Sequence, residues 1–198
     1  LGSKAGTAVT NSSSNINIQV DRFYYDNSAL PQLATSGSVT IQPNATSFGM
    51  DIYTSYFNLN QNGQTMTNFT FGKSGNAGNL YLNSAFTVAG PISVYGGYVE
   101  VSNTITSSVA GDILLKGIAN TNSSVAIIGG GITKSAGTGT LTMQGYGRTQ
   151  NTGTISATGT GVLNVIMWSD YDGDNVGGGS TLGAGGSIST NNGHIWMG

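Results

Sequence analysis

Residues 79 to 106 read NLYLNSAFTVAGPISVYGGYVEVSNTIT, and three phrases within them, NLYLN (79–83), PISVY (91–95) and YVEVS (98–102), alternate apolar and polar residues. A period of two puts successive side chains on opposite faces of an extended chain, so each phrase predicts a short, half-buried strand. AGP and GG stand between them, room enough for a turn and little else. The same rhythm recurs outward in both directions, at NINIQV (15–20), SVTIQ (38–42), DILLK (112–116), SVAII (124–128), TLTMQ (140–144), GVLNVIM (161–167) and SIST (187–190). GKSGNAGN, ANTNSS, GGGITKSAGTG and YGRTQNTG read as the turns in between. No window of eleven or more residues spaces its apolar positions at 3.6, so no helix is expected.

Short strands, small turns and scarce charge together predict solenoid winding. The expected fold is an all-β parallel β-helix, in which each coil stacks inward Val, Ile and Leu on the coil below and aligns Asn, Ser and Thr along the outside. The stronger segments start near 79, 98, 112, 124, 140 and 161, which predicts irregular coils of roughly 12–22 residues. At about 20 residues per coil and a strand spacing of about 4.8 Å, nine or ten coils would make a rod near 45 Å long. The whole of 1–198 reads as one β-solenoid segment of a longer chain, with less regular, aromatic-rich coils over 1–72 and regular Gly/Ser/Thr/Asn-rich coils over 73–198. DRFYYDN (21–27), DIYTSYFNLN (51–60) and NFTFGK (68–73) hold eight of the fifteen Phe and Tyr residues. They are expected to fill the wider rungs; a carbohydrate-stacking strip is the alternative.

Composition excludes several functions. Gly, Asn, Ser and Thr fill half of the 198 positions, yet 37% of the residues are hydrophobic and only 7% charged, a balance unlike that of disordered chains. Without Cys there is no disulfide framework and no thiolate metal site. A net charge of -2 with six scattered Lys and Arg gives no basic stripe for nucleic acid. No apolar run reaches the roughly 18 to 20 residues of a membrane span. His194 is the only histidine, too few for a His-pair metal site, and it sits in NGHIWMG with Trp196 on one strand face and Ile195 and Met197 on the other.

WSDYDGDNVGGGS (168–180) places Asp170, Asp172 and Asp174 within five positions. D-x-D-G-D copies the first half of a calcium loop. An EF-hand is excluded, since Asn175 stands at the turn glycine and Thr181 at the bidentate Glu. The alternatives left open are a weak calcium loop of another kind and an acidic turn. For catalysis, glycoside hydrolysis needs two facing carboxylates; Asp21 and Asp26 flank FYY, and Glu100 and Asp112 would face one another only if they lay on successive coils. No catalytic constellation results. Sequons at Asn11, Asn44, Asn68 and Asn122 are no more than the composition would produce by chance. GTGTLT and NTGTISATGTG raise an ice-binding alternative, which requires equivalent Thr residues to align from coil to coil; the unequal steps between strand segments argue against it.

GNLYLNSAFTVAGPISVYGGYVEVSNTIT (78–106) and the stretch from TGTISATG (152–159) to GSISTNNGHIWMG (186–198) resemble the long β-strand-repeat proteins related to filamentous haemagglutinin. V-A-G-P-I-S-V-Y-G-G and the acidic loop set between an apolar strand and G-G-G-S carry the resemblance, from position 70 to position 198; the chain before position 70 departs from it. It implies a right-handed coil, an extracellular or bacterial cell-surface address, and a structural or adhesive role in a fibre, with no catalytic residue. A polysaccharide-binding or polysaccharide-cleaving β-helix is the alternative. Expected partners are further solenoid or other copies at the ends, both of which read as uncapped, together with glycans or neighbouring cell surfaces.

Overall fold

Each short strand finds its partner one full coil later, always in parallel, and this repeated pairing builds the molecule. The computed structural model describes residues 8–10, 13–24, 30–60, 63–120, 123–174, 176 and 178–198. Asp26, Asn175 and the sequons Asn11 and Asn122 lie outside the described residues. Three faces run along the coil. The long face has eight strands: Ile16–Gln19, Ser38–Gln42, Asn68–Gly72, Ile92–Gly96, Ile113–Gly117, Thr138–Gly145, Val162–Trp168 and Ile195–Met197. The second face has six: Ile52–Tyr53, Leu80–Leu82, Val99–Val101, Val125–Ile127, Thr149–Asn151 and Ser180–Leu182. The third has five: Phe86–Val88, Thr104–Ser107, Gly131–Lys134, Thr154–Ala157 and Ser187–Ser189. In the first coils, the place between second and long face is taken by a separate three-stranded sheet of Ala8–Thr10, Gln32–Ala34 and Asn58–Leu59. The fold is a parallel β-helix. Helix among the described residues is confined to 3-10 turns such as Thr54–Tyr56, and no helix there is long and apolar enough to cross a membrane.

The register explains the core. On the long face, Ile16, Val39, Phe69, Ile92, Ile113, Leu141, Val165 and Ile195 fall in one inward column. Ile18, Ile41, Phe71, Val94, Leu115, Met143, Met167 and Met197 fall in a second. All of these are buried except Ile195 and Met197 on the last rung. The third face adds a column of Phe86, Ile105, Ile132, Ile155 and Ile188. Parallel stacking of like side chains at a spacing near 4.8 Å packs branched residues closely and removes them from water. In the aromatic-rich coils the phenylalanines Phe48, Phe57, Phe69 and Phe71 are buried and fill the core, whereas Tyr24 is exposed and Tyr53 and Tyr56 are half-buried; the Phe69 ring lies 4.9 Å from that of buried Phe86.

Coil length is a correction. Ile92 pairs with Ile113, the shortest stride on the long face, whereas Val39 pairs with Phe69 and Val165 with Ile195. The expected coils are too short because neighbouring alternating segments, such as 112–116 and 124–128, belong to successive faces of one coil. Seven rung spacings along the long face give a rod of about 34 Å, shorter than the roughly 45 Å anticipated. The first and last rungs of the long face are unlike. On the first rung of the long face, inward Ile16 and Ile18 are buried, with Val20 and Phe23 packed against the core; at the last rung, Leu182, Ile195 and Met197 are about half exposed.

Candidate functional site

The acidic loop begins where the seventh strand of the long face ends. Tyr171 N–H donates to Gly145 O at 3.0 Å and Gly173 N–H to Asp170 O at 3.0 Å, tying the turn to the preceding coil. Asp170 and Gly173 both take positive φ, 50° and 72°, a conformation that Asp tolerates and glycine adopts freely. The turn brings one carboxylate oxygen each of Asp170, Asp172 and Asp174 within 4.8 Å of one another, with Asp172 and Asp174 exposed. Asp174 is held on both oxygens: Asn120 Nδ2 donates to Oδ2 and Val176 N–H to Oδ1, each at 2.8 Å. The spacing read from the sequence therefore converges in space, and an oxygen cluster open to solvent suits a hard, irregularly coordinated cation such as calcium.

Beside the loop lies a feature that the sequence left unrecognised. The outward column at the end of the long face runs Tyr95, Lys116, Gln144, Trp168. Lys116 Nζ sits 4.3 Å from the Tyr171 ring centroid, a cation–π arrangement. Tyr171 lies nearly parallel to Tyr146 at 6.4 Å and edge-on to Trp168 at 4.7 Å, and Trp168 meets Trp196 edge-on at 6.1 Å. A recess of about 150 Å³ opens next to them, lined by Asn76, Tyr95, Lys116 and Tyr146 among others. These residues lie on different coils, far apart in the chain, so only the coil register could have revealed them.

A second tyrosine group lies on the second face. Tyr53 and Tyr81 stack at 4.5 Å with 10° between planes, and Tyr98 sits edge-on to Tyr81 at 5.9 Å. Rings stacked along the coil axis use their faces on one another and show edges to solvent, which does not suit a sugar-stacking strip. Tyr98 OH donates to Glu100 Oε2 at 3.0 Å; burial first, and then the Glu100 charge, raise its pKa above the ordinary tyrosine range.

Among the described residues, the carboxylates weighed for catalysis do not face one another. Glu100 has Tyr81 and Ala126 as register neighbours, while Asp112, at the corner before the long face, accepts Thr140 N–H at 2.8 Å. Asp21 accepts Ala45 N–H at 2.6 Å. His194 is exposed, and its N–H donates to Asn164 Oδ1 at 3.0 Å. Fold and surface thus define a β-solenoid protein. Comparison with protein-family models, with curated proteins and with solved structures found no match.

Proposed function

We propose that this solenoid is a structural and adhesive segment of a secreted or cell-surface fibre of the filamentous-haemagglutinin-like kind, and not an enzyme. The observation that carries the reading is the last rung: its inward Leu182, Ile195 and Met197 are about half exposed, beside a strand, Ile195–Met197, whose one ladder partner among the described residues is Val162–Trp168. Such an edge is a template for another rung, whether from further solenoid or from a second copy. Sedimentation of the chain over rising concentration tests this. Association is expected, and Ile195→Lys with Met197→Lys should suppress it; a chain that stays monomeric at the highest concentration overturns the reading.

Polysaccharide binding is the second reading, favoured by the recess between Tyr95, Lys116 and Tyr146 beside exposed Trp168 and Tyr171. Aromatic faces with a few polar groups match the half-apolar surface of a sugar, and glycans of neighbouring cell surfaces are the partners it would serve. The Asp170, Asp172, Asp174 loop fits weak calcium binding in the same extracellular setting. Millimolar calcium should then raise the melting temperature of the parent but not of the triple Asp→Asn variant; equal responses leave the loop as an acidic turn.

A further inference from the structure

The third face differs from the other two in what it shows to solvent. Its outward positions form two columns: Thr87, Thr106, Thr133, Ser156 and Ser189 in one, and Thr104, Gly131, Thr154 and Ser187 in the other. Every one except Gly131 carries a hydroxyl. The irregular coil lengths do not disturb this array, because extra residues are taken up in the corners while the parallel register is kept. Unequal steps between strands therefore do not scatter the threonines here, contrary to what the sequence alone suggests.

Three independent observations make it a surface with a particular partner. Its two repeats follow from strand geometry: roughly 4.7–4.9 Å from rung to rung and about 6.7 Å between columns, two residues apart along a strand. The rung repeat lies close to the shorter repeat of the prism plane of hexagonal ice, about 4.5 Å, and the column spacing lies within about a tenth of the longer one. The face is also free of charge. Lys134, the single ionisable residue in its five strands, points inward and is fully buried, with its ammonium donating to Ser107 Oγ, Val109 O and Gly111 O. By contrast, the long face displays Lys116 and the second face Glu100. Finally, the array is held rigid. Ile105, Ile132 and Ile155 are fully buried beneath it, and hydroxyls on successive rungs meet, Thr133 with Ser156 at 3.3 Å and Ser187 with Thr154 at 3.5 Å.

We infer that the third face is a water-ordering surface whose ligand is ice. A fixed grid of hydroxyls and threonine methyls spaced near the lattice repeat holds a first water layer in ice-like positions, so that joining a growing crystal costs little further ordering entropy. Charged groups would bind water in competing orientations, and their absence from the grid is what this ligand requires. The inference goes beyond the fibre reading and does not depend on it.

The test grows ice slowly from a solution of the full chain and measures protein in the ice against protein left in the liquid. The parent is expected to be enriched in ice several-fold over an inert protein of the same size. Thr106→Lys and Thr133→Lys should return it to the inert value, while Gln150→Lys on the second face should leave the enrichment unchanged. Thr133→Ser, which keeps the hydroxyl, and circular dichroism of every variant separate loss of the face from loss of fold. A parent excluded from ice overturns the inference. So do folded Lys variants that partition like the parent, or third-face-dependent binding to insoluble cellulose or chitin without ice enrichment.

Discussion

Lys134 shows what a single residue does at a coil corner. Its ammonium replaces water for the carbonyls of Val109 and Gly111, which turn inward where the chain passes from the third face to the long one. Burial lowers its pKa, an effect partly offset by the Asp112 charge, so the amine sits in a costly place and is retained by the hydrogen bonds it makes. Lys134→Met keeps the volume and removes the donor, leaving buried carbonyls unsatisfied at a cost of about 1–3 kcal/mol; a drop of that size in urea-derived stability is expected, and an unchanged midpoint would show that water fills the role. Tyr98 gives a pH dependence. With its folded pKa raised above the ordinary 10.0, the folded chain keeps a proton that the unfolded chain releases, so this stabilisation is complete below the unfolded value and is lost as pH rises through the folded one. Urea midpoints between about pH 9 and 11 should fall more steeply for the parent than for Tyr98→Phe. Lys134 works in the opposite sense, its depressed value making stability rise with pH below 10.5, so the difference between parent and Tyr98→Phe, both of which keep Lys134, isolates the tyrosine.

At the scale of the strand, legibility follows alternation. NLYLN, PISVY, YVEVS and TLTMQ announce themselves because apolar and polar residues differ sharply at period two, and each is a strand of the long or second face. The third face is harder to read. Gly131–Lys134 falls inside a stretch that reads as a turn, since a glycine run and a lysine look like solvent-exposed loop until the register turns Lys134 inward. Thr149–Asn151, within the turn-like YGRTQNTG, is a strand whose inward positions are polar. Thr149 bonds Ser180 Oγ at 2.8 Å, and Asn151 donates to Ser187 O at 3.2 Å and accepts Gly153 N–H at 3.0 Å. An inward column that passes from Ile52, Leu80, Val99 and Val125 to Thr149 and Ser180 has no hydrophobic period to detect. The acidic loop is visible because its three carboxylates are close in sequence. The aromatic recess is not, and of the hydroxyl grid only threonine-rich phrases such as NTGTISATGTG are, because coil-to-coil register assembles both from distant positions. Backbone fit matters equally: Gly72 has φ 79° and would direct a Cβ against Tyr95 O, so it is the one residue type that fits between the third and fourth strands of the long face.

Over the whole molecule, one fold presents three unlike surfaces on a common core. The long face carries the aromatic and cationic strip, the second face the tyrosine stack with Glu100, and the third an uncharged hydroxyl array, so substitutions on one leave the chemistry of the others unchanged. The ladder that joins the rungs has a further consequence. In a parallel coil the backbone hydrogen bonds lie along the rod axis, so tension applied along that axis would load the rungs in series and open them one at a time. Each opened coil would release roughly 70 to 110 Å of chain, about twice the length of the entire folded rod or more. A coil built this way would be short at rest, yield stepwise under load, and rewind one turn at a time against the template that the intact coils preserve.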